Sequence, residues 1–454
     1  MNPNVFREYD IRGVADVDLD SDFVRDLGRA LGTFHRRRGH QRIAIGRDCR
    51  VSSDRLHGAL SAGLLETGLH LVDVGIVPTP LMYFAVHHLD LDGGVEITGS
   101  HNPPPDNGFK MMTGKGSLFG RDIGALKSAI EGRSFDLADR GSHGNVSEID
   151  VLPAYLGFLQ GNIRLAHHDL RFAIDAGNGA AGPTASAAFR ALGLKPVELL
   201  CEMDGTFPVH HPDPTEPESL ELLQQRVAAD GLDLGIAFDG DGDRIGIIDS
   251  RGEILWGDKL LTLLARRVLH DRPGAAVLGE VKCSQTLYDD IAAHGGRPIL
   301  WKTGHSLIKT KMKEEHALLA GEMSGHVFFA DRFFGYDDAI YTAARILELL
   351  TEAGRPIHEL LEDVPPTHVT PEIRVECPDD RKFDVVDAVR TKFQETHEVV
   401  TVDGARIQFG DGAWGLVRAS NTQPALVLRF EARDEATLQK IRSEVEAAVA
   451  TARA

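Results

Sequence analysis

The feature that most constrains the fold is a repeated alternation of short apolar runs with helical patterns. It predicts a strand at 42–46, a helix at 53–67 and a second strand at 69–74. The same alternation restarts at 170–175 and again near position 251. Because strands that alternate with helices form parallel sheets covered by helices, the sequence predicts three consecutive α/β domains. Further predicted elements are helices at 184–192, 219–229, 258–270, 285–294 and 338–351, and strands at 234–238 and 276–279.

The pattern changes after Pro365 and Pro366. Strands predicted at 372–376 and 426–431, with helices at 384–396 and from Glu435, indicate a smaller α+β domain. A chain of 454 residues is also too long for a single core. We therefore predict four domains, with the bounds 1–147, 148–250, 251–366 and 367–454.

A lone serine is the first candidate for chemistry. The segment TGSHNP at 98–103 follows a predicted strand at 95–97 and places Ser100 in a polar loop. A serine hydroxyl is a weak nucleophile, so it needs a base, a metal or prior modification to take part in covalent catalysis. The alternative is that Ser100 caps a helix or closes a turn, which are the usual roles of a loop serine.

The run DGDGDR at 239–244 is a candidate metal site. Its glycines allow the backbone to curl, so that Asp239, Asp241 and Asp243 can converge on one hard cation. The spacing excludes an EF-hand, because Arg244 stands where that loop needs glycine. The alternative is a solvated turn. Three carboxylates this close repel one another unless a cation compensates them, which favours a metal, and a serine beside a divalent metal suggests phosphoryl chemistry.

Two smaller groups could support that chemistry. The segment YDIRG at 9–13 supplies the phenol of Tyr9 and the guanidinium of Arg12, for which the alternative is a structural ion pair. His101 and Lys110 are candidate proton shuttles or phosphate ligands, although an exposed lysine is most often simply solvated.

Three later loops carry groups suited to binding hydroxyls and phosphate, although each alone could be an ordinary turn. GEMSGH at 321–326 offers a carboxylate, a hydroxyl and an imidazole. WKTGH at 301–305 places a cation before a predicted helix, whose amino end favours an anion. RASNT at 418–422 combines a guanidinium, two hydroxyls and an amide, for which phosphate is the natural ligand.

Charge and cysteine content exclude some classes of partner. A formal net charge of -19 disfavours general binding to nucleic acid or to anionic membranes. No long uncharged apolar run and no signal-peptide pattern is present, so we expect a soluble cytoplasmic protein. The four cysteines are widely scattered, which fits reduced thiols rather than disulfides or zinc ligands.

Taken together, these segments resemble those of the α-D-phosphohexomutase superfamily, most closely its bacterial bifunctional phosphomannomutase/phosphoglucomutase branch. The resemblance covers essentially the whole chain. It rests on four loops in the family order, TGSHNP, DGDGDR, GEMSGH and RASNT, with YDIRG and WKTGH in addition. It implies three related α/β domains with mixed, mostly parallel sheets and a smaller C-terminal α+β domain, arranged around a central cleft.

The resemblance also implies an activity and its residues. The activity is reversible conversion of hexose 1-phosphate to hexose 6-phosphate through a phosphoserine, Ser100, and a hexose 1,6-bisphosphate. Mg²⁺ is expected on Ser100, Asp239, Asp241 and Asp243. The other implied catalytic residues are Arg12, His101, Lys110 and Arg244, with Lys110 as general acid/base. The implied substrate-binding residues are Tyr9, Lys302, His305, Glu322, Ser324, His326, Arg418, Ser420, Asn421 and Thr422.

The chain departs from the family pattern at two positions. Pro105 and Asp106 stand where an aspartate followed by an aromatic residue is usual, which puts any contact of that aromatic group in doubt, and Lys110 stays in register. Gln423 replaces a small residue beside the predicted phosphate clamp, and we expect the chain to tolerate it because the clamp residues remain.

Three alternatives stay open. Phosphoglucosamine mutases have a similar loop that reads GEQSGH, and Met323 argues against that substrate. A catalytically silent phosphosugar-binding protein and a metal-dependent phosphatase are the others. We expect small-molecule phosphosugars as partners, neither nucleic acid nor membrane, and a monomer with a dimer as the alternative.

Overall fold

The computed structural model describes residues 2–421 and 423–453. The amino-terminal part forms a seven-stranded mixed sheet in the order β1-β5-β4-β2-β3-β7, with β6 beside β5. Its elements, in chain order, are a 3₁₀ turn (Pro3–Val5), β1 (Ile11–Val14), α1 (Ser21–Arg36), β2 (Arg42–Arg47), α2 (Ser53–Leu65), β3 (His70–Ile76), α3 (Thr79–His88), β4 (Gly93–Ile97), β5 (Asp106–Thr113), β6 (Gly116–Ser117), α4 (Arg121–Glu131), a 3₁₀ turn (Arg140–Ser142) and β7 (Val146–Glu148).

The strands β4 and β5 form the hairpin on which the predicted serine loop lies. They pair antiparallel, with Ile97 opposite Phe109 and Glu96 opposite Lys110. All five residues of β4 are buried, and the strand is interior to the sheet, with β2 parallel on one edge and β5 antiparallel on the other. Residues 98–105 are therefore the turn of a hairpin at the centre of a sheet, and the sheet fixes both ends of that turn.

The second sheet has the order β12-β11-β10-β8-β9. Its central strands β10 and β11 are fully buried and pair antiparallel, so residues 239–244 form the turn between them. The elements of this part are α5 (Leu152–Asn162), β8 (Phe172–Asp175), α6 (Ala181–Ala191), β9 (Val197–Leu199), α7 (Pro217–Asp230), β10 (Leu234–Phe238), β11 (Ile245–Asp249) and β12 (Ile254–Leu255).

The third part contains three parallel strands, with β13 between β14 and β15. Its apolar strand β13 is buried along its whole length. The elements are α8 (Gly257–Asp271), β13 (Ala276–Glu280), α9 (Gln285–Ala293), β14 (Arg297–Trp301), α10 (His305–Glu315), β15 (Leu319–Gly321), β16 (Val327–Phe329), α11 (Ala339–Ala353) and a 3₁₀ turn (Ile357–Leu361).

The carboxyl-terminal part is an antiparallel sheet in the order β17-β22-β21-β20-β19, with β18 also on β22 and two helices packed against it. Strands β21 and β22 are buried throughout and form its centre. The elements are β17 (His368–Val369), β18 (Ile373–Glu376), α12 (Lys382–Gln394), β19 (Glu398–Val400), β20 (Ala405–Gly410), β21 (Ala413–Ala419), β22 (Ala425–Ala432) and α13 (Glu435–Arg453).

The sheets confirm the predicted fold class, in which three α/β domains are followed by an α+β domain. The contacts divide the chain into two compact units. The first unit contains the residues up to Leu260 together with Ser324–Leu360, and the second contains Leu261–Met323 and the residues from Leu361 onward. Within the described residues, no helix combines the length and the apolar content that crossing a membrane would require.

A buried histidine makes the first unit sensitive to acid. His35 is fully buried, its Nδ1 lies 2.9 Å from Nδ1 of His40, and burial, aided by His40 and Arg38, lowers its pKa to about 3. The unfolded chain therefore binds a proton at this position as the pH falls through the ordinary histidine range, while the folded chain does not. We expect the free energy of unfolding to fall by about 2 kcal/mol between about pH 7 and pH 5 from this group.

Urea unfolding of the wild type and of His35→Gln at the two pH values measures this effect. The pH dependence of the variant's free energy of unfolding should be smaller than that of the wild type by about 2 kcal/mol, while other histidines with lowered pKa values, such as His87, keep their own contribution. His143→Gln, at an exposed position, is the matched control and should keep the wild-type difference. An unchanged pH dependence in His35→Gln would contradict the prediction.

Candidate active site

Ser100 lies in the β4–β5 turn in an unusual backbone conformation. Its φ is 50°, which is the left-handed region that non-glycine residues seldom adopt. Its backbone N–H donates to Oγ1 of Thr98 at 2.8 Å, and the residue is only 2% exposed. Such strain persists where the surroundings fix the backbone, and it commonly marks functional loops.

The guanidinium of Arg50 fixes this turn. It donates hydrogen bonds to four main-chain carbonyls of the loop, those of Ser100 (2.8 Å), Asn102 (2.6 Å), Pro103 (2.7 Å) and Asp106 (2.9 Å). The side chain of Arg50 is fully buried. Because one rigid, planar group satisfies four buried acceptors, the loop has little freedom to change shape.

Asp48 orients Arg50 and the loop together. Its Oδ2 accepts the N–H of Gly99 at 3.2 Å and lies 3.2 Å from Nε of Arg50. Its Oδ1 accepts the hydroxyl of Ser53 at 2.5 Å. Asp48 and Arg50 follow β2, whose carboxyl end lies next to that of β4, so the parallel sheet itself brings these charges to the serine turn.

The structure brings the predicted serine and the predicted acidic loop together. Oγ of Ser100 donates to Oδ2 of Asp239 at 2.9 Å, across 139 residues of sequence. The other oxygen of Asp239 accepts the backbone N–H groups of Asp243 and Arg244, both at 3.1 Å. Asp239 therefore closes the 239–244 turn with one oxygen and meets the serine with the other.

The two remaining aspartates share an ammonium group. Nζ of Lys110 lies 2.6 Å from Oδ2 of Asp241 and 2.5 Å from Oδ2 of Asp243. The hydroxyl of Thr79, at the start of α3, donates to the same Asp241 oxygen at 2.5 Å. The Oδ1 atoms of Asp241 and Asp243 are buried without a hydrogen-bond partner.

These oxygens fit a hard divalent cation. All three aspartates are fully buried, and one oxygen of each lies within 4.8 Å of the others. Buried carboxylate oxygens without donors are costly unless a cation compensates them. Asp239, Asp241 and Asp243 can therefore hold a metal, with the oxygen of Ser100 beside it.

The buried charges of the cluster also shift one another's pKa values. Burial, reinforced by the charges of Asp241 and Asp243, raises the pKa of Asp239 well above that of an ordinary aspartate. Burial also acts to raise the pKa of Asp241, but the Lys110 ammonium outweighs it and lowers that pKa below its usual range. Burial opposes the charge on Lys110, yet Asp241 and Asp243 outweigh it and raise the Lys110 pKa well above normal. Lys110 is thus a cation at neutral pH.

Two predicted groups border the serine turn. Nδ1 of His101 lies 3.1 Å from Oγ of Ser100, and burial, with nearby Arg244 and Arg12, lowers the pKa of His101. Nη1 of Arg12 donates to Oδ1 of Asn102 at 2.8 Å, so Arg12 also contacts the turn. Tyr9 lies half-buried three residues before Arg12.

Arg244 and His326 form another pair in the same unit. Nε of Arg244 donates to Nε2 of His326 at 3.0 Å. On the other side of the imidazole ring, Nδ1 lies 3.0 Å from Oδ2 of the fully buried Asp337 and 3.6 Å from Oδ1 of Asp243. The imidazole therefore connects Arg244 to the acidic cluster. Ser324, two residues earlier, is half-buried in this unit.

The remaining predicted residues lie in the second unit, where several meet. Oε1 of Glu322 accepts the N–H of Gly304 at 2.6 Å, which joins the loop of Lys302 and His305 to the segment that follows β15. Oδ2 of Asp403 accepts the N–H of Thr303 at 3.1 Å and Nε of Arg418 at 3.0 Å. Lys302 is exposed and His305 is half-buried.

The predicted phosphate clamp is partly described. Ser420 is buried and its Oγ accepts the N–H of Gln423 at 3.1 Å, while its carbonyl accepts Nζ of Lys382 at 2.6 Å. Asn421 is half-buried. Thr422 lies outside the described residues.

The sequence did not single out five of these residues: Asp48, Arg50, Thr79, Asp337 and Asp403. All five act on the backbone or on another side chain, so none forms part of a recognisable motif. Asp48 and Arg50 could have been found from their position in the sequence. They directly follow a buried parallel strand, and parallel sheets place functional groups at the carboxyl ends of their strands.

Comparisons with known proteins agree with this arrangement. Four segments match family models described as phosphoglucomutase/phosphomannomutase α/β/α domain I (3–136), domain II (153–252), domain III (256–368) and C-terminal domain (372–448).

Individual relatives match over nearly their whole length. A phosphomannomutase/phosphoglucomutase of Pseudomonas aeruginosa is 46% identical over 441 residues, which cover 97% of this chain and 94% of the relative. A phosphoglucomutase of Neisseria gonorrhoeae is 42% identical over 449 residues, covering 98% and 96%. The crystal structure of a phosphoglucomutase/phosphomannomutase family protein from Burkholderia thailandensis has a TM-score of 0.93 and 42% identity, covering 99% of this chain and 97% of the other. With all four family domains present in order, the chain belongs to the phosphoglucomutase/phosphomannomutase family.

Proposed function

We propose that this protein is a phosphomannomutase/phosphoglucomutase, which interconverts the 1-phosphates and 6-phosphates of mannose and glucose. The observation that carries the proposal is the contact of Ser100 Oγ with Asp239, 2.9 Å, inside a buried cluster of three carboxylates. A serine beside a cation site suits phosphoryl transfer, because that reaction depends mostly on positioning and on charge neutralisation.

In the proposed reaction, Ser100 carries the phosphoryl group. The bond between phosphorus and Oγ breaks while a bond to the free hydroxyl oxygen of the sugar phosphate forms; the sugar hydroxyl gives its proton to a base of the active site, and Oγ of Ser100 gains a proton from an acid. The hexose 1,6-bisphosphate then turns over, and its opposite phosphoryl group returns to Ser100 in the reverse step. Mg²⁺, bound by Asp239, Asp241 and Asp243, would neutralise charge on the transferred group.

Two groups are proposed to move the proton. His101 lies 3.1 Å from Oγ of Ser100, and its lowered pKa keeps it neutral, so it can accept a proton from that oxygen or return it. Lys110 is protonated next to Asp241 and Asp243, so in this proposal it acts as the acid. Arg12 and Arg244 would add positive charge around the phosphoryl group.

Glu322 and Ser324 would accept hydrogen bonds from the sugar hydroxyls. Arg418, Ser420, Asn421 and Thr422 would hold the phosphate that is not being transferred. Tyr9, Lys302, His305 and His326 complete the proposed substrate site.

A coupled assay with glucose 1-phosphate and mannose 1-phosphate, started with a trace of glucose 1,6-bisphosphate, tests the proposal. We expect turnover of both substrates that depends on Mg²⁺, and intact-mass measurement should find one phosphate on Ser100 in part of the sample. Release of inorganic phosphate as the main product would instead indicate a phosphatase. Faster turnover of glucosamine 1-phosphate would indicate a phosphoglucosamine mutase.

The location and assembly are part of the same proposal. We propose a cytoplasmic monomer whose partners are small phosphosugars. The four cysteines, Cys49, Cys201, Cys283 and Cys377, form no disulfide, which suits a reducing compartment.

Replacing Arg50 should slow the reaction although Arg50 does not contact the proposed substrate. Arg50→Lys keeps the charge but loses the planar fork that satisfies four carbonyls of the serine turn. A shift of the nucleophile of about 1 Å can lower the rate about 100-fold, which is the expected loss of kcat in the coupled assay.

Arg55→Lys is the matched control for this variant. Arg55 also donates to main-chain carbonyls, those of Ala15 (2.8 Å) and Leu19 (3.0 Å), but it does not contact the serine turn. It should keep nearly wild-type turnover. If Arg50→Lys is folded and as active as the control, Arg50 does not position Ser100.

A further inference from the structure

Three parallel strands of the second unit end at one place, beside a buried carboxylate that the proposed reaction does not use. Glu280 is the last residue of β13 and stands opposite Trp301, the last residue of β14. On the other side of β13, Gly279 stands opposite Gly321, the last residue of β15. The carboxyl ends of all three strands therefore meet at Glu280, which is fully buried.

Each oxygen of Glu280 holds a different substrate loop. Oε2 accepts the hydroxyl of Thr303 at 2.5 Å, in the segment 301–305, here called the lysine loop because it contains Lys302. Oε1 accepts the backbone N–H of Met323 at 3.2 Å, in the segment 321–323, here called the glutamate segment because it contains Glu322. One carboxylate thus sets the distance between the two.

Further hydrogen bonds extend this connection. The lysine loop and the glutamate segment also meet directly, where Gly304 donates to Glu322 at 2.6 Å. From Thr303 the network continues through Asp403 to Arg418, the guanidinium of the proposed phosphate clamp. Glu280 is therefore connected to both loops and, through Thr303, to the clamp.

The side chain of Lys282 places a positive charge beside the buried carboxylate of Glu280. The backbone N–H of Lys282 donates to Oε2 of Glu280 at 3.3 Å, and its Nζ lies 3.6 Å from Oε1. The same Nζ lies 3.0 Å from Glu372. The facing ammonium group offsets the cost of burying a carboxylate, and a carboxylate offers acceptors at both oxygens.

We propose that Glu280 is a positioning residue for substrate binding, which holds the lysine loop and the glutamate segment at the separation that the phosphosugar requires. The inference rests on the proposed mutase function. Glutamine is the informative replacement, because its amide has the size of the carboxylate but only one acceptor oxygen. Whichever way the amide is turned, its NH₂ group faces a backbone N–H, that of Met323 or that of Lys282, so one of these two hydrogen bonds is lost.

The experiment compares Glu280→Gln with the wild type in two ways. In the coupled assay we expect the KM for glucose 1-phosphate to rise about tenfold while kcat changes less than about threefold, because the reacting groups are untouched. The Mg²⁺ concentration for half-maximal activity should stay unchanged. Hydrogen exchange should become faster in peptides that contain 302–305 and 321–323, and this second readout does not depend on activity.

Two companion variants show whether Glu280 acts through Thr303. Thr303→Val removes the hydroxyl and should raise KM, whereas Thr303→Ser keeps it and should restore nearly the wild-type KM. Because Thr303 and Glu280 contact each other, the effect on KM in the double variant Glu280→Gln/Thr303→Val should be smaller than the product of the two single effects. Glu376→Gln, at an exposed position of β18, is the matched control and should change neither KM nor exchange.

The outcomes separate this inference from the proposed function. If the wild type has no mutase activity, the proposed function fails, and an exchange rate in Glu280→Gln equal to the wild type would overturn the loop contact as well. If the wild type is active, unchanged KM and unchanged exchange in Glu280→Gln overturn the inference alone. The inference is also overturned if the KM of the double variant rises by the full product of the two single effects. The same holds if Glu280→Gln needs more Mg²⁺ than the wild type. If Glu280→Gln does not fold, the KM values of Thr303→Val and Thr303→Ser are compared instead. Equal KM values for these two variants overturn the inference.

Discussion

Ser100→Ala should reduce mutase turnover to less than about one thousandth of the wild type, a loss of roughly 4 kcal/mol or more in transition-state stabilisation. The proposed reaction forms a covalent bond at Oγ of Ser100, and alanine has no oxygen at which that bond could form. The variant should also carry no phosphate by intact-mass measurement.

The loss must be separated from a folding defect. Ser100 contributes one side-chain hydrogen bond to Asp239, so the variant should keep its thermal midpoint within a few degrees and should still bind divalent metal. Ser128→Ala, on the exposed surface of α4, is the control and should retain full activity. Turnover in Ser100→Ala above about one tenth of the wild type would show that another group carries the phosphoryl.

Asp241→Asn should weaken metal binding about 100-fold and lower turnover at a fixed Mg²⁺ concentration by a similar factor. The substitution removes the charge of the carboxylate that Lys110 and Thr79 orient, and the amide is a poorer ligand than the buried Oδ1 that it replaces. Titration calorimetry with Mg²⁺ after treatment with a chelator measures the affinity directly, and the coupled assay measures the activity over the same metal range.

Two comparisons make this result specific. Chelator treatment of the wild type should abolish turnover, and added Mg²⁺ should restore it. Asp54→Asn removes an equal charge from an exposed side chain paired with Arg47 and should leave the metal requirement unchanged. An Asp241→Asn protein that needs no more Mg²⁺ than the wild type would show that the metal, if required, binds elsewhere.

The sequence predicted the strands that carry the site better than the helices around them. β2, β10 and β13 are short apolar runs between turn residues, and the structure has them within one residue of the predicted bounds. α3 gave no helical pattern because eight of its ten residues are buried, so it has no polar face to alternate with an apolar one. β5 begins with Asp-Asn-Gly, which is typical of a turn, yet pairing with β1 and β4 makes it a strand.

The sequence also predicted only some of the residues of the candidate site. Ser100 and Asp239 could be proposed from the chemistry of their own side chains. Arg50 and Glu280 could not, because a guanidinium that binds main-chain carbonyls and a carboxylate that binds a backbone N–H leave no pattern in the sequence of the loop they hold. Their partners in those loops lie 23 to 56 residues away, and only the folded sheet brings them into contact.

The way Arg50 holds the serine turn makes that turn permissive to evolution. The guanidinium grips main-chain oxygens, and every amino acid supplies such an oxygen, proline included. Asp106 stands where an aromatic residue is usual in the family, and its carbonyl still accepts Nη1 of Arg50 at 2.9 Å. Side chains of the loop can therefore be exchanged to suit a different sugar while the nucleophile stays in place.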